Sequence, residues 1–292
     1  MIEDALTADL ENPEIEFVLH CVNFWIDKIP AQKDLDDRID YGEYLIRRWK
    51  QFLLFIRETY GGVKQDSGGE RAVHALMKGV FSAALDCFLT SLGLHQVQHK
   101  GVVYRRIGLC YKKLGEYETA LQYLVEANAI TPDLAPVLAE MADCYALCGN
   151  DRNAKVLFRE AFFLDPSKID LCFLDSGMIR RLIELVEEKG FSGNSLLEWI
   201  PVYGFLYGIF SVKRELRALE AGKLKQSIYE HEIASKESGG DPAILVPRLI
   251  NHYFWLIDHL MVLQKDRSKI EETLLKIKLL DEEVYKQYTG VL

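Results

Sequence analysis

Apolar residues recur along this chain at the three-to-four spacing of helices. In residues 34–60 Leu45, Ile46, Trp49, Phe52, Leu53 and Ile56 form one stripe. The same segment has acids in its first turns and bases later, an order that suits the helix dipole. A shorter helix is expected over 14–28, and GGVKQDSGGE at 61–70 reads as a loop. Near the other end SGGDP (238–242) breaks the chain. A long apolar helix is expected at about 244–263, then an amphipathic one at about 267–280.

Between these segments the pattern repeats. Residues 101–134 align with 135–168 without a gap: Tyr104 over Leu138, Ile107 over Met141, Gly108 over Ala142 and Tyr111 over Tyr145. Gly115 then falls over Gly149, Ala120 over Ala154, Leu124 over Phe158, Ala127 over Ala161 and Pro132 over Pro166. A period of this length carrying two helical patterns predicts a helix hairpin per copy. Gly108 and Ala142 are small where one helix approaches its partner. Ala120 and Ala127 lie two turns apart on one face. Gly115 and Gly149 suit a tight turn, and Pro132 and Pro166 cannot continue a helix.

These positions resemble the tetratricopeptide repeat family, whose usual eight signature positions they occupy in both copies. The resemblance implies an all-α fold, a right-handed superhelical solenoid of helix hairpins, with the first helix of each repeat lining a concave groove. It also implies a partner-binding role. The family's carboxylate-clamp subclass is not matched, because Leu109 and Asp143 stand where asparagine is wanted.

Weaker copies flank the pair. KGVFSAALDCFLTSLGL (78–94) aligns with the second half of a repeat, with Gly79 at the turn position. In 169–202 Gly190, Ser195 and Trp199 fit loosely, and 219–235 has a similar pattern around Gly222. Helix pairs are therefore expected to the end. The chain divides into an acidic arm with two helices (1–62), a repeat region (63–168) and degenerate pairs with capping helices (169–292).

Composition narrows the function. Of 292 residues 49% are hydrophobic and 27% charged, as in a soluble globular protein. The net charge is −9, and the first sixteen residues hold six acids and no base. That balance argues against nucleic-acid binding, which needs a basic surface, and against an ordinary secretory signal. The six cysteines are scattered, with Cys110 and Cys144 at one repeat position, and are expected to be reduced in a cytoplasmic protein. The uncharged stretch 199–212 is too short for a membrane span and is interrupted by Pro201. It is expected in the core or at a contact, with Gly204 and Gly208 admitting another helix.

No phosphate loop, nucleophile elbow or HExxH motif occurs. His95 and His99 have a chelating spacing but no acid or cysteine beside them. Pairs such as Asp36–Asp37 and Glu187–Glu188 are ordinary on solvated helix faces. No enzyme activity, cofactor or metal is expected. The surface is more informative. Arg105, Arg106, Lys112 and Lys113 share one face of helix 101–114, opposite Val103, Ile107, Tyr111 and Leu114. That face is either solvated, with Arg105 reaching Asp143, or a contact for an acidic partner. In 244–263 Arg248, Asn251, His252, Asp258 and His259 form a narrow polar stripe around Trp255, which is either covered or an exposed anchor.

The leading expectation is an adaptor or scaffold that binds a protein or peptide segment through Arg105, Leu109, Lys112, Lys113, Asp143 and Leu147, with Trp255 as an outlying anchor. One alternative is a small-ligand carrier with an apolar cavity near Trp199, Tyr203 and Phe205. Another is a self-assembling structural protein, a homo-oligomer.

Overall fold

The helical periodicity is realised as helix throughout. A computed structural model describes residues 12–26, 38–63, 67–93, 99–210, 213–236, 240–263 and 267–291. Among these are thirteen α-helices, two short 3-10 turns and no strand. The chain forms two compact units, residues 1–132 and 133–292. The division falls between the two sequence copies.

The first unit holds α1 (Pro13–Ile26), α2 (Arg38–Tyr60), α3 (Gly68–Gly93), α4 (Lys100–Lys113) and α5 (Tyr117–Ile130). The predicted stripe of α2 faces inward. Trp49 and Phe52 meet Trp25 of α1 at 6.2 and 5.6 Å between ring centres, and Phe81 of α3 lies 5.8 Å from Trp49. α3 starts at Gly68, within the expected loop, and runs unbroken through Gly79. Gly79 is therefore mid-helix and turns nothing. By length and composition α3 is the one described helix long and apolar enough to cross a membrane. Its apolar face, with Phe81, Ala84, Leu85 and Phe88, is buried here, and α3 packs with α2 and α4.

α4 and α5 form the first copy's hairpin. A Cβ on Gly108 would lie 2.7 Å from Leu124 Cγ and 3.1 Å from the Ala120 carbonyl oxygen, so the alignment's small residue marks a true close approach. At the turn Gly115 adopts φ +89°. Its N–H donates to the Lys112 carbonyl, and the Glu116 N–H donates to that of Tyr111. This is the Schellman closure, which needs a left-handed residue after the helix.

The second unit opens with the second copy, α6 (Ala135–Leu147) and α7 (Asp151–Leu164). Its turn repeats the first: Gly149 has φ +77°, and the N–H groups of Gly149 and Asn150 donate to Ala146 and Tyr145. Then follow α8 (Gly177–Glu187), α9 (Gly193–Leu206), α10 (Ala218–Ala234), α11 (Pro242–Val262), α12 (Arg267–Leu280) and α13 (Glu282–Val291). α8 and α9 are the expected loose pair. α10 is one helix with Gly222 inside it, not a hairpin. α11 is central, packed against α9, α10 and α12, while α13 closes on α12 and α9.

Residues 199–206 are buried, and Pro201 sits inside α9. Gly204 admits no second helix there. A Cβ on it would come within 2.4 Å of the Phe210 ring, which folds back from the turn that ends α9. Residues 211 and 212 of the uncharged stretch lie outside the described residues, as do the N-terminal residues 1–11, Asp36, Asp37 and His95.

Candidate functional site

The basic face of α4 is not a solvated surface. Leu109 is wholly buried, and Lys112 and Lys113 are only 2% and 8% exposed. Arg105 and Arg106 are half-buried. Arg106 grips Glu43 of α2 with two bonds, 2.5 and 2.8 Å long. The helical wheel assumed one packed face, but α4 packs against α3 as well as α5. A helix packed on more than one side has more than one inward face, and of the four cations Arg106 is turned to Glu43 of α2.

Asp143, expected as a contact residue, is also wholly buried. Its carboxylate accepts the N–H groups of Asp175 and Ser176, each at 2.8 Å. Those donors stand at the N-terminus of α8, where helix ends leave N–H groups unpaired and favour negative charge. Asp143 therefore caps a neighbouring helix. Leu147 is half-buried.

Trp255 is covered: it is 2% exposed, with Phe163 of α7 4.3 Å from its ring and the Arg159 guanidinium 4.3 Å above it. It is a core residue and cannot serve as an exposed anchor. The whole polar stripe of α11 is buried with it, apart from a half-buried Arg248, and each member addresses another element. Arg248 pairs with Glu198 of α9, with one bond at 3.0 Å. Asn251 donates to the Phe162 carbonyl of α7. Asp258 pairs with Arg159 of α7 and lies 3.4 Å from Lys213 Nζ. His259 Nδ1 accepts the Leu216 N–H.

Two ring nitrogens in this seam have no bond partner. The His252 and His231 rings lie 5.3 Å apart, and both Nδ1 atoms are buried without one. Burial lowers the His252 pKa to about 3, helped by His231 and the Arg248 charge. Burial likewise lowers that of His231. Burial, and then the Asp258 charge, raises the Tyr288 hydroxyl far above the ordinary tyrosine range. Neutral imidazoles beside closed ion pairs hold helices together and present no open face.

An open face does exist on the α4–α5 hairpin. A groove of about 700 Å³ is lined by Tyr104 of α4 and by Glu118, Leu121, Tyr123, Val125 and Glu126 of α5. Val125 is 43% exposed. Tyr123 lies 5.9 Å from Tyr104 and 5.5 Å from Tyr111. The sequence expectation placed contacts on α4, α6 and Trp255 and gave α5 only its packing positions; the apolar Leu121 and Val125 outside those positions, half-buried and exposed here, were the available signal.

His99 begins α4 in a left-handed conformation (φ 61°). Among the described residues no three His, Cys, Asp or Glu side chains converge on a metal position. Cys110 and Cys144 are both buried, and Cys148 is exposed. No protein-family model matches this sequence, and no curated protein matches it.

Proposed function

We propose that this chain is a non-catalytic adaptor that binds a protein or peptide segment, built from tetratricopeptide-type hairpins wound as a right-handed solenoid. Support for the repeat comes from the two copies. Both close with the same glycine geometry at 115 and 149, and the small residue at 108 lies against Leu124. The scattered cysteines, with Cys110 and Cys144 buried at one repeat position, suit a reducing cytoplasm.

The binding reading rests on the open α4–α5 groove, an apolar strip with tyrosine faces and a polar rim. The small-ligand alternative needs space beside Trp199, Tyr203 and Phe205. Those rings are instead filled by neighbours: Phe191 stacks on Trp199 at 4.6 Å, and Phe254 and Tyr288 lie 5.0 and 5.3 Å from Phe205.

A photo-crosslinking residue placed at Gln122, on the groove, should capture a partner in cells. The same residue at Tyr229, 64% exposed on α10, should not. Equal capture, or none, at the two positions counts against the adaptor reading.

A further inference from the structure

We propose that the α4–α5 groove takes a segment of another protein in which lysine or arginine side chains alternate with apolar ones. This rests on the adaptor reading and names its partner's chemistry. It reverses the acidic partner expected from the cations of α4, which are largely inside.

Three features of the groove point the same way. Glu118, Gln122, Val125 and Glu126 fall within about 100° on one face of α5, so two exposed carboxylates share a face with an apolar residue at its edge. No lysine or arginine lines the groove. An acidic segment would be repelled by Glu118 and Glu126, whereas a basic one gains two partners and buries Leu121 and Val125.

The tyrosines add a second attraction. A ring face carries negative quadrupole charge and draws a cation held within about 6 Å. Beside the groove this is already seen, since Lys100 Nζ, which does not line it, stands 5.3 Å from the ring centre of the lining residue Tyr104. A partner's lysine or arginine would find the same kind of face on Tyr123, with Glu126 or Glu118 to neutralise it. The net charge of −9 further speeds encounter with a basic segment.

The test uses the full chain and three fluorescent peptides: an amphipathic peptide of leucine and lysine, its leucine–glutamate counterpart, and a lysine–serine peptide without apolar residues. At physiological salt the leucine–lysine peptide should bind about tenfold tighter than either of the others. Glu118→Lys with Glu126→Lys should abolish that preference. Glu230→Lys with Glu271→Lys, on exposed sites of the second unit, should preserve it. Leu121→Ser with Val125→Ser should weaken binding about fivefold while the melting temperature stays within a few degrees.

Equal affinity for the lysine and glutamate peptides overturns the proposal. So does equal loss in the control pair, which would show diffuse charge attraction. A dimer that Val125→Asp dissociates also overturns it, with a second copy as the occupant. If crosslinking at Gln122 captures an acidic or uncharged segment, the adaptor reading stands and the basic partner falls. If Gln122 captures nothing and no peptide binds, both fall.

Discussion

The α1–α3 bundle and the seam around α11 fill their interiors in opposite ways. In the first, Trp25, Trp49, Phe52 and Phe81 meet ring to ring, and the inward stripe of α2 is apolar. In the second, Arg159, Asp258, Glu198, Asn251 and His252 are buried among aromatic rings. The apolar bundle gains free energy from area and shape, which many side chains supply. Buried ion pairs return little net stability, because desolvation offsets attraction, yet removing one partner is severe. The seam trades interchangeability for address. Asp258 calls for the segments that bring Arg159 and Lys213, and Glu198 for the helix that brings Arg248.

The largest predicted effects test that contrast directly. Phe52→Ala and Asp258→Ala should each lose about 3–5 kcal/mol, the first by opening a cavity and the second by taking from the buried Arg159 its Asp258 carboxylate. The responses to a second change should differ. Asp258→Leu with Arg159→Met should recover most of the loss in a urea titration. A double variant no more stable than Asp258→Ala would mean the pair does more than neutralise itself.

Next in size is Gly108→Leu, which forces a side chain into the 2.7 Å approach to Leu124. It should cost about 1–3 kcal/mol, and an unchanged denaturant midpoint would contradict the close approach.

Acid should then separate the seam from the bundle. The folded pKa values of His231 and His252 lie below their ordinary 6.5, so the unfolded chain takes up protons first as pH falls. These groups leave stability untouched above about pH 6.5. Below it His252 removes up to about 1.4 kcal/mol per pH unit, down towards its folded pKa of about 3. Glu220 and Glu232, whose folded pKa values lie below 4.5, add their losses only under that value. His252→Gln should therefore flatten the melting-temperature profile between about pH 6.5 and 4.5; an unchanged slope would place the acid sensitivity elsewhere. The smallest effect belongs to Arg106 and Glu43, both partly exposed, where Glu43→Gln should change stability by about 0–1 kcal/mol.

Much of this was legible in sequence where the instruction is local. Gly115, Gly149 and Gly108 act within their own hairpins, and the alignment found all three. α12 occupies 267–280, the span read from its periodicity. The α11 stripe was also visible, with Trp255 in its centre. Its covering was not, because the partners lie far along the chain: Arg159 is 99 residues from Asp258, and Glu198 is 50 from Arg248. The burial of Lys112 and Lys113 was hidden for a related reason. A helical wheel for α4 shows which residues share a face but not how many faces are packed, so Lys112 and Lys113 looked available. Gly79 and Gly222 read as turns because glycine sat at the turn position, yet nothing forces a glycine to end a helix.

The 99-residue separation of Arg159 and Asp258 also orders events in time. Each repeat hairpin closes a loop of three residues, 114–116 and 148–150, while the ion pair must bring together ends about thirtyfold farther apart, at an added entropic cost of about 3 kcal/mol. Hairpins rich in local contacts form early, and distant pairings wait for them. Loss of Asp258 should then leave the refolding rate nearly unchanged and appear in the unfolding limb of the chevron. The seam would act as a late latch: it governs how long the C-terminal unit stays folded more than how quickly it folds.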